Sequence, residues 1–379
     1  MKIGYLIKNI DEVGGREKIV LTKARELASL GFDVTIISYY TYGKNKENLS
    51  NVKFFSFDLN DSGKFNPVKY FIRKSTFKKK LYDLLVMEKL DIVITMVEEF
   101  IYDTQNICKK LGVKSILELH GSYDYYRGII KTGMVKDVLK KTIRVYEYSK
   151  LKLIMRHFDV VVILSQHDSS KWNLENSVVI PNFLPDGEFF RTRIDKGGDK
   201  SKFVAAGRLT KEKGFDILVD VWNELKSRNK KYSLTIYGDG PQLIKLQEKI
   251  NNLGLDELIT IHPFVDNFVE TIIEFDCLLV TSRYEAFPMV VLEGISNGLP
   301  IIAFDLECGI RDMVESDYNG YLIPRFNVQT MADLIIKTDE DDELRCKFGE
   351  NSLTKSIKFR REVVLTSWLN LFELMRVHR

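Results

Sequence analysis

Cysteine is scarce in this chain of 379 residues. Cys108, Cys277, Cys308 and Cys346 stand far apart, with no CxxC pair and no histidine at metal-ligand spacing. That pattern speaks against a disulfide framework and a structural zinc site, and it suits a reducing compartment. Long apolar runs are missing too: nothing approaches the roughly 18 residues that mark a membrane span. The first residues, MKIGYLIKNIDEVGG, have too short an apolar stretch and no small-residue cleavage site, so they are expected to form a first core strand and not a secretory signal. No low-complexity tract or short-period repeat is present, and no zinc-finger or RRM signature points to nucleic acid. A hydrophobic fraction of 45% with 29% charged residues leaves neither disorder nor a fibrous repeat as a reading.

An excess of charge of one sign is absent only from the total, which is +3. Residues 1–150 hold 27 Lys/Arg against 18 Asp/Glu, residues 251–350 hold 6 against 20, and residues 351–379 hold 6 against 2. A basic front half and an acidic rear section suit a molecule that meets a polyanion or an anionic membrane with one end.

What is present is an alternation of short β-rich apolar runs with helical patterns, the mark of parallel βαβ units. Strands are expected at KIGYLI (2–7), DVTIISYY (33–40), VKFFSF (52–57), DIVITMV (91–97), KSILELH (114–120), DVVVILS (159–165) and SVVIP (177–181). A second series follows at KFVAAG, YSLTIYG (232–238), LITIHPF (258–264), CLLVTS (277–282) and PIIAFD (300–305). Several are apolar without alternation, as strands covered on both faces are. A first helix is expected over about residues 16–30, ended by Gly31. The Pro-, Gly- and charge-rich stretch 181–201 marks the junction. The fold class is therefore α/β, with two Rossmann-like doubly wound domains, 1–183 and 184–359, and an amphipathic helix within 360–379 that packs back on the first.

The most informative stretch is SRYEAFPMVVLEGISNGLPIIAF, residues 282–304. A strand ends near Ser282, Pro288 occupies the expected first helical position, and the N–H groups of Met289, Val290 and Val291 are left to face the crevice. A helix start at a strand's C-terminal end is an anion site in an open α/β sheet. Glu285 before this helix and Glu293 within it suit a ligand that carries hydroxyl groups on both sides of a phosphate. Taken alone, they read equally well as a turn residue and a solvated helix residue. In AGRLTKEKGF (206–215), Arg208 and Lys213 lie in a βα loop at the same sheet edge, where two cations could neutralise a diphosphate. Singly, each reads as a solvated loop residue. The turn YGDGP (237–241) shares the rim, where its glycines permit close backbone approach.

EAFPMVVLE resembles the E-x7-E signature of the retaining glycosyltransferases of family four, which have the two-domain GT-B architecture with the domains facing across a cleft. The resemblance extends over most of the chain. VGGREKIVLTKARELASLGFDV (13–34) is similar to the family's glycine loop and first helix, VIPNF (179–183) to its pre-hinge strand, AGRLTKEKG to its cationic loop, and YGDGP and NGYLIP (319–324) to its later turns. It implies that Glu285 contacts donor-sugar hydroxyls and Glu293 the ribose, and that Arg208 and Lys213 bind the diphosphate. Gly14 and Gly15 would form the loop facing it, and Phe287, Pro288, Met289 and Val290 would line the donor site. His120, in LELHGS, matches a family histidine near the donor sugar; by itself it reads as a hydrogen-bonded structural histidine. Ala286 replaces the common glycine, and CGIRD (308–312) lacks the usual proline.

The activity implied is transfer, with retention, of a hexosyl or N-acetylhexosaminyl group from a nucleotide diphosphate sugar, UDP by family frequency, to a saccharide hydroxyl in cell-surface polysaccharide synthesis. No cofactor and no metal are expected, since the cations and the helix start would carry the leaving charge. For the acceptor, PVKYFIRKSTFKKKLYDLL (67–85) sets Tyr70, Phe77, Leu81 and Leu84 in one stripe among Lys69, Arg73, Lys74, Lys78 and Lys80. This reads either as an interfacial helix on anionic lipid or as a solvated helix with a core face. With a second basic stretch, Lys131 to Arg156, it favours a lipid-linked saccharide acceptor and a cytoplasmic protein peripheral at the inner face of the membrane. Three rival readings stand beside this one: a GT-B-fold nucleotide-sugar epimerase, a non-catalytic nucleotide-sugar-binding protein, and an NAD-dependent oxidoreductase. The last would want a GxGxxG loop where KNIDEVGGRE offers a single glycine pair.

Overall fold

The computed structural model describes residues 1–9, 15–40, 51–59, 66–96, 99–127, 148–184 and 201–377. The chain divides into two compact units. One comprises Met1–Leu164, Ser169–Ile180 and Asn370–Arg379, and the other Ser165–Asp168 and Pro181–Leu369.

Among the described residues the first unit has seven strands: β1 (Lys2–Asn9), β2 (Asp33–Tyr40), β3 (Lys53–Ser56), β4 (Ile92–Thr95), β5 (Lys114–Leu119), β6 (Val160–Ile163) and β7 (Ser177–Val179). All pairs are parallel, in the order β3-β2-β1-β4-β5-β6-β7. β2 is buried from Val34 to Tyr40 and β4 throughout, which is why their sequences run apolar without alternation. The helix Pro67–Glu88 starts where Asn66 accepts a hydrogen bond from the Lys69 N–H at 3.1 Å, with Pro67 in the first turn. It buries Phe77, Leu81, Leu84 and Leu85. Phe77 lies 5.0 Å from Tyr39 and 5.0 Å from Phe100, and Tyr70 packs partly buried against the same cluster. The expected interfacial stripe is thus the core face of this helix. Each large side chain buried there contributes about 1.5–3 kcal/mol, so a core face takes precedence over a lipid contact.

Among the described residues the second unit has six parallel strands: β8 (Lys202–Ala206), β9 (Ser233–Tyr237), β10 (Ile259–His262), β11 (Cys277–Val280), β12 (Ile301–Phe304) and β13 (Gly320–Ile323). Their order is β10-β9-β8-β11-β12-β13. NGYLIP, expected as a turn, supplies the edge strand β13, which pairs with β12 from Gly320 opposite Ile301 to Ile323 opposite Phe304. In the last helix, Arg361–Val377, residues through Leu369 group with the second unit and those from Asn370 with the first, where Phe372 lies 5.7 Å from Phe32.

Both sheets are doubly wound, and the strand order reverses between β1 and β4 in one and between β8 and β11 in the other. Such switch points are where open α/β sheets bind ligands, at the C-terminal strand ends.

Candidate active site

In the second unit, the segments that follow the two switch-point strands carry the residues singled out from sequence. After β8 the chain passes Gly207 and the exposed Arg208, closes a short 3₁₀ turn at Lys211–Lys213, and enters the helix Phe215–Ser227. After β11 come Thr281, Ser282, Arg283 and Glu285. The Lys213 ammonium contacts Glu285 Oε1, and Ser282 Oγ donates to the same oxygen at 2.9 Å. The two side chains are 26% and 14% exposed, so the pair is shielded yet still reachable from solvent. The sequence places these residues 72 positions apart; the fold brings them together.

The local backbone explains how. Gly214, at φ 69°, lies so close to β11 that a Cβ there would collide with the Thr281 carbonyl oxygen. Thr281 Oγ1 donates to the Gly214 carbonyl at 3.0 Å. Arg283 fastens the two loops together: its N–H donates to the Glu212 carbonyl at 2.7 Å, and its guanidinium donates to the Lys211 carbonyl at 2.6 Å and to both Asp216 oxygens at 2.8 and 2.7 Å. Burial works to raise the Asp216 carboxyl, but the hydrogen bonds and charge of Arg283 outweigh it and hold the group below its ordinary value. The glycines of YGDGP serve this same scaffold. A Cβ at Gly238 would collide with the Gly207 carbonyl, and the Leu209 N–H donates to the Asp239 carbonyl at 2.8 Å.

The helix after β11 runs Met289–Ser296. Pro288 is its N-cap with φ −72°, one position earlier than expected, and its carbonyl accepts from the Val291 N–H at 3.0 Å. Val291 is therefore already engaged, whereas the Met289 and Val290 N–H groups have no acceptor among the described residues. No side chain caps this helix. Phe287 is turned inward, 7% exposed and 5.7 Å from Phe359, so only its backbone remains for a ligand. Glu293 lies one turn into the helix and is half-buried. The Gly309 N–H, in the CGIRD segment, donates to the Ala286 carbonyl at 3.0 Å and steadies the loop from the other side. A cation, an acid bound to it and two unsatisfied helical N–H groups thus lie in the two loops at one switch point. This arrangement can hold an anion next to a hydroxyl-bearing group.

In the first unit, His120 follows β5 directly, but its imidazole faces inward. The side chain is 3% exposed, and Nε2 is 3.1 Å from Glu118 Oε1, off the line a good hydrogen bond needs. Glu118 in turn contacts the buried Lys23 ammonium from the helix Gly15–Ser29. Gly15 is the first residue of that helix, while Gly14 lies outside the described residues. So do Lys131, Lys136, Lys140, Lys141 and Arg144 of the second basic stretch.

Sequence reasoning missed Arg283, Asp216 and Ser282, and in the first unit Lys23 and Glu118. Arg283 stands within the quoted motif, two residues before Glu285, but its partner Asp216 is 67 residues away, and no spacing rule joins them. A lysine in an otherwise apolar helix face was a visible signal, since Lys23 sits between Val20 and Leu27 in the chain.

These two sheets and their order define a two-domain α/β fold of the GT-B kind. Residues 186–355 match the family described as glycosyl transferases, group 1. The chain is 27% identical over 377 residues to an uncharacterized glycosyltransferase of Haemophilus influenzae, covering 97% of this chain and 98% of that protein. It is 25% identical over 385 residues to the amylovoran biosynthesis glycosyltransferase AmsD of Erwinia amylovora, again covering 97% and 98%. Among solved structures, HepE of Anabaena in complex with UDP superposes with a TM-score of 0.76 at 16% identity, over 98% of this chain and all of that one. That likeness shows the fold.

Proposed function

We propose that the protein is a retaining glycosyltransferase that moves a hexosyl or N-acetylhexosaminyl group from a UDP-sugar to a hydroxyl of a saccharide acceptor, in cell-surface polysaccharide synthesis. The observation that carries this reading is the Lys213–Glu285 pair, fastened at the switch point next to the start of helix Met289–Ser296. The group 1 match across the same unit supports a glycosyltransferase. The names of AmsD and of the UDP complex support the polysaccharide context and the nucleotide.

Breaking the sugar–phosphate bond places negative charge on the leaving diphosphate and oxocarbenium character on the sugar. In this mechanism Lys213, Arg208 and the Met289 and Val290 N–H groups receive the leaving charge, while Glu285 holds donor-sugar hydroxyls and Glu293 the ribose. Glu285 and Glu293 act as ligands for the donor's two ends, not as the acid and nucleophile pair of a retaining hydrolase, which stand about 5 Å apart. The decisive experiment is a thermal-shift panel of UDP, GDP, ADP, NAD and their sugar conjugates. A ligand at a hundred times its dissociation constant adds about 2.7 kcal/mol. Stabilisation by UDP and a UDP-sugar is the expected result; stabilisation by NAD alone, or by none of them, rejects the reading. NMR of the product's anomeric proton then decides retention.

The acceptor is proposed to be lipid-linked and the protein peripheral at the inner membrane face. No described helix is long and apolar enough to cross a membrane. On the helix Pro67–Glu88, the face opposite the core carries exposed Val68, Phe71 and Ile72 at 68%, 66% and 60%, then Tyr82 and Val86, with Lys69, Lys78 and Lys79 alongside. An apolar stripe flanked by lysines suits an anionic lipid surface. Phe71→Ser/Ile72→Ser should abolish sedimentation with phosphatidylglycerol vesicles, and high salt should weaken it. Binding that survives both refutes the docking.

A further inference from the structure

The loop that follows β12 carries charged groups with no part in the mechanism above. It leads into the CGIRD segment, where no proline supplies stiffness. Asp305 directly follows the strand, and its N–H donates to the Ile323 carbonyl of β13 at 2.7 Å. Arg311, in the short helix Ile310–Met313, reaches back over the loop and grips both carboxylate oxygens of Asp305: Nε donates to Oδ1 and Nη2 to Oδ2, each at 2.7 Å. The Glu307 N–H donates to the same Oδ1 at 3.1 Å. Burial works to raise the Asp305 carboxyl, but the hydrogen bonds from Arg311 and Glu307 outweigh it and keep the group ionised. From beyond β13, Arg325 forks across two successive carbonyls, donating from Nε to Asp305 at 3.0 Å and from Nη2 to Leu306 at 2.7 Å. Glu307 is thereby held at φ 51°, a left-handed conformation that a non-glycine residue keeps only where its surroundings enforce it. The Asp305 and Arg311 side chains are 28% and 36% exposed, so their pairing adds little to overall stability. What it supplies is shape, because a bidentate fork fixes orientation as well as distance.

That shape reaches the site through Gly309. Its N–H donates to the Ala286 carbonyl at 3.0 Å, and a Cβ at Gly309 would collide with that carbonyl oxygen and with the Phe287 ring. The two loops therefore meet backbone to backbone, with no side chain between them to absorb a shift. Ala286 directly follows Glu285 and stands three residues before Met289. We propose that Arg311 is a positioning residue: through Asp305 it sets the loop after β12, so that Gly309 holds the Ala286 carbonyl and, with it, Glu285 and the Met289 and Val290 N–H groups in the geometry the donor requires. The consequence for the donor rests on the glycosyltransferase reading; the positioning does not.

The test is amide hydrogen exchange, read by mass spectrometry on peptides spanning 286–293 and 306–313, beside a thermal melt. The Gly309, Val291 and Leu292 N–H groups are hydrogen-bonded in the wild type. In Arg311→Ala they should exchange about tenfold faster, with β8 and the helix Phe215–Ser227 unchanged and the melting temperature little altered. Asp305→Asn, which turns an amide N–H against the guanidinium, should match it. Asp305→Asn/Arg311→Ala should be no worse than either single variant, since all three break one contact. Arg311→Lys keeps the charge without the fork and should fall between. Faster exchange confined to 306–313 shows that nothing is passed to Ala286 and refutes the proposal. So do additive losses in the double variant, or faster exchange spread over the whole second unit. Single-turnover release of UDP from UDP-glucose and UDP-N-acetylglucosamine tests the consequence for the donor, and its rate should fall by about tenfold in Arg311→Ala. If exchange rises at 286–293 and that rate holds, the positioning stands and its bearing on transfer is refuted. If the wild type cleaves neither donor, the loss is to the glycosyltransferase reading, and the exchange result still decides the positioning.

Discussion

Lys213→Met separates folding from chemistry at the proposed site. In the unliganded protein the substitution removes one charge contact, between side chains that are 26% and 14% exposed. Solvent screening limits such a pair to about 1 kcal/mol, and Glu285 keeps the Ser282 hydroxyl as a partner. For a unit of this size, 1 kcal/mol corresponds to roughly 2–4 °C in melting temperature. The transition state is affected far more. A cation placed in advance where the diphosphate charge develops is worth about 3–4 kcal/mol, or roughly 10²–10³ in turnover. The assay is single-turnover release of UDP from the UDP-sugar that stabilises the protein, run beside a thermal melt. Turnover should fall at least a hundredfold while the melting temperature moves by a few degrees at most. Lys213→Arg, which keeps the charge but changes its shape, should recover part of the loss. Turnover within tenfold of wild type in folded Lys213→Met refutes the role, and so does a loss that merely tracks the melting temperature across a series of variants.

Arg283→Ala cuts the hydrogen bonds that tie the Lys211–Lys213 turn to Asp216 and the post-β11 loop. Donor affinity, measured by calorimetry with UDP, should weaken by about tenfold or 1.4 kcal/mol, with the circular dichroism spectrum unchanged; unaltered affinity would show that the fastening is dispensable. Acid stability provides a third prediction. The Glu118 carboxyl is held down to about 2 in the fold, against about 4.3 in an unfolded chain. A depressed carboxyl contributes stability that is fully present above the unfolded value and is lost as pH falls through the folded one. Stability of the first unit should therefore decline between about pH 5 and pH 2, and Lys23→Met/Glu118→Gln should flatten that slope in melts taken across the range. An unchanged slope would mean that Glu118 carries no such linkage.

The parts of the fold legible in sequence are those written locally. DVTIISYY and CLLVTS announce strands because a covered parallel strand must be apolar on both faces, and the β8 and β11 loops could be named because strand ends and helix starts have local punctuation. β13 escaped because only Tyr321, Leu322 and Ile323 stand between Gly320 and Pro324, too few to register as a run; its strand character comes from pairing with β12, a long-range fact. The Phe77 stripe shows a related limit. Periodicity reveals that a helix has an apolar face, but the helix Pro67–Glu88 has two, and only packing decides that Phe77 and Leu81 go inward while Phe71 and Ile72 stay out. The site follows the same rule. Lys213 and Glu285 were named separately, each from its own loop, but their contact depends on β8 lying next to β11 and on Arg283 joining their loops. Lys23 went unremarked because the partner that gives it meaning is 95 residues away. A charged residue on an apolar helix face therefore signals an unseen counter-charge, and for Lys23 that counter-charge is Glu118, one residue before the C-terminal end of β5.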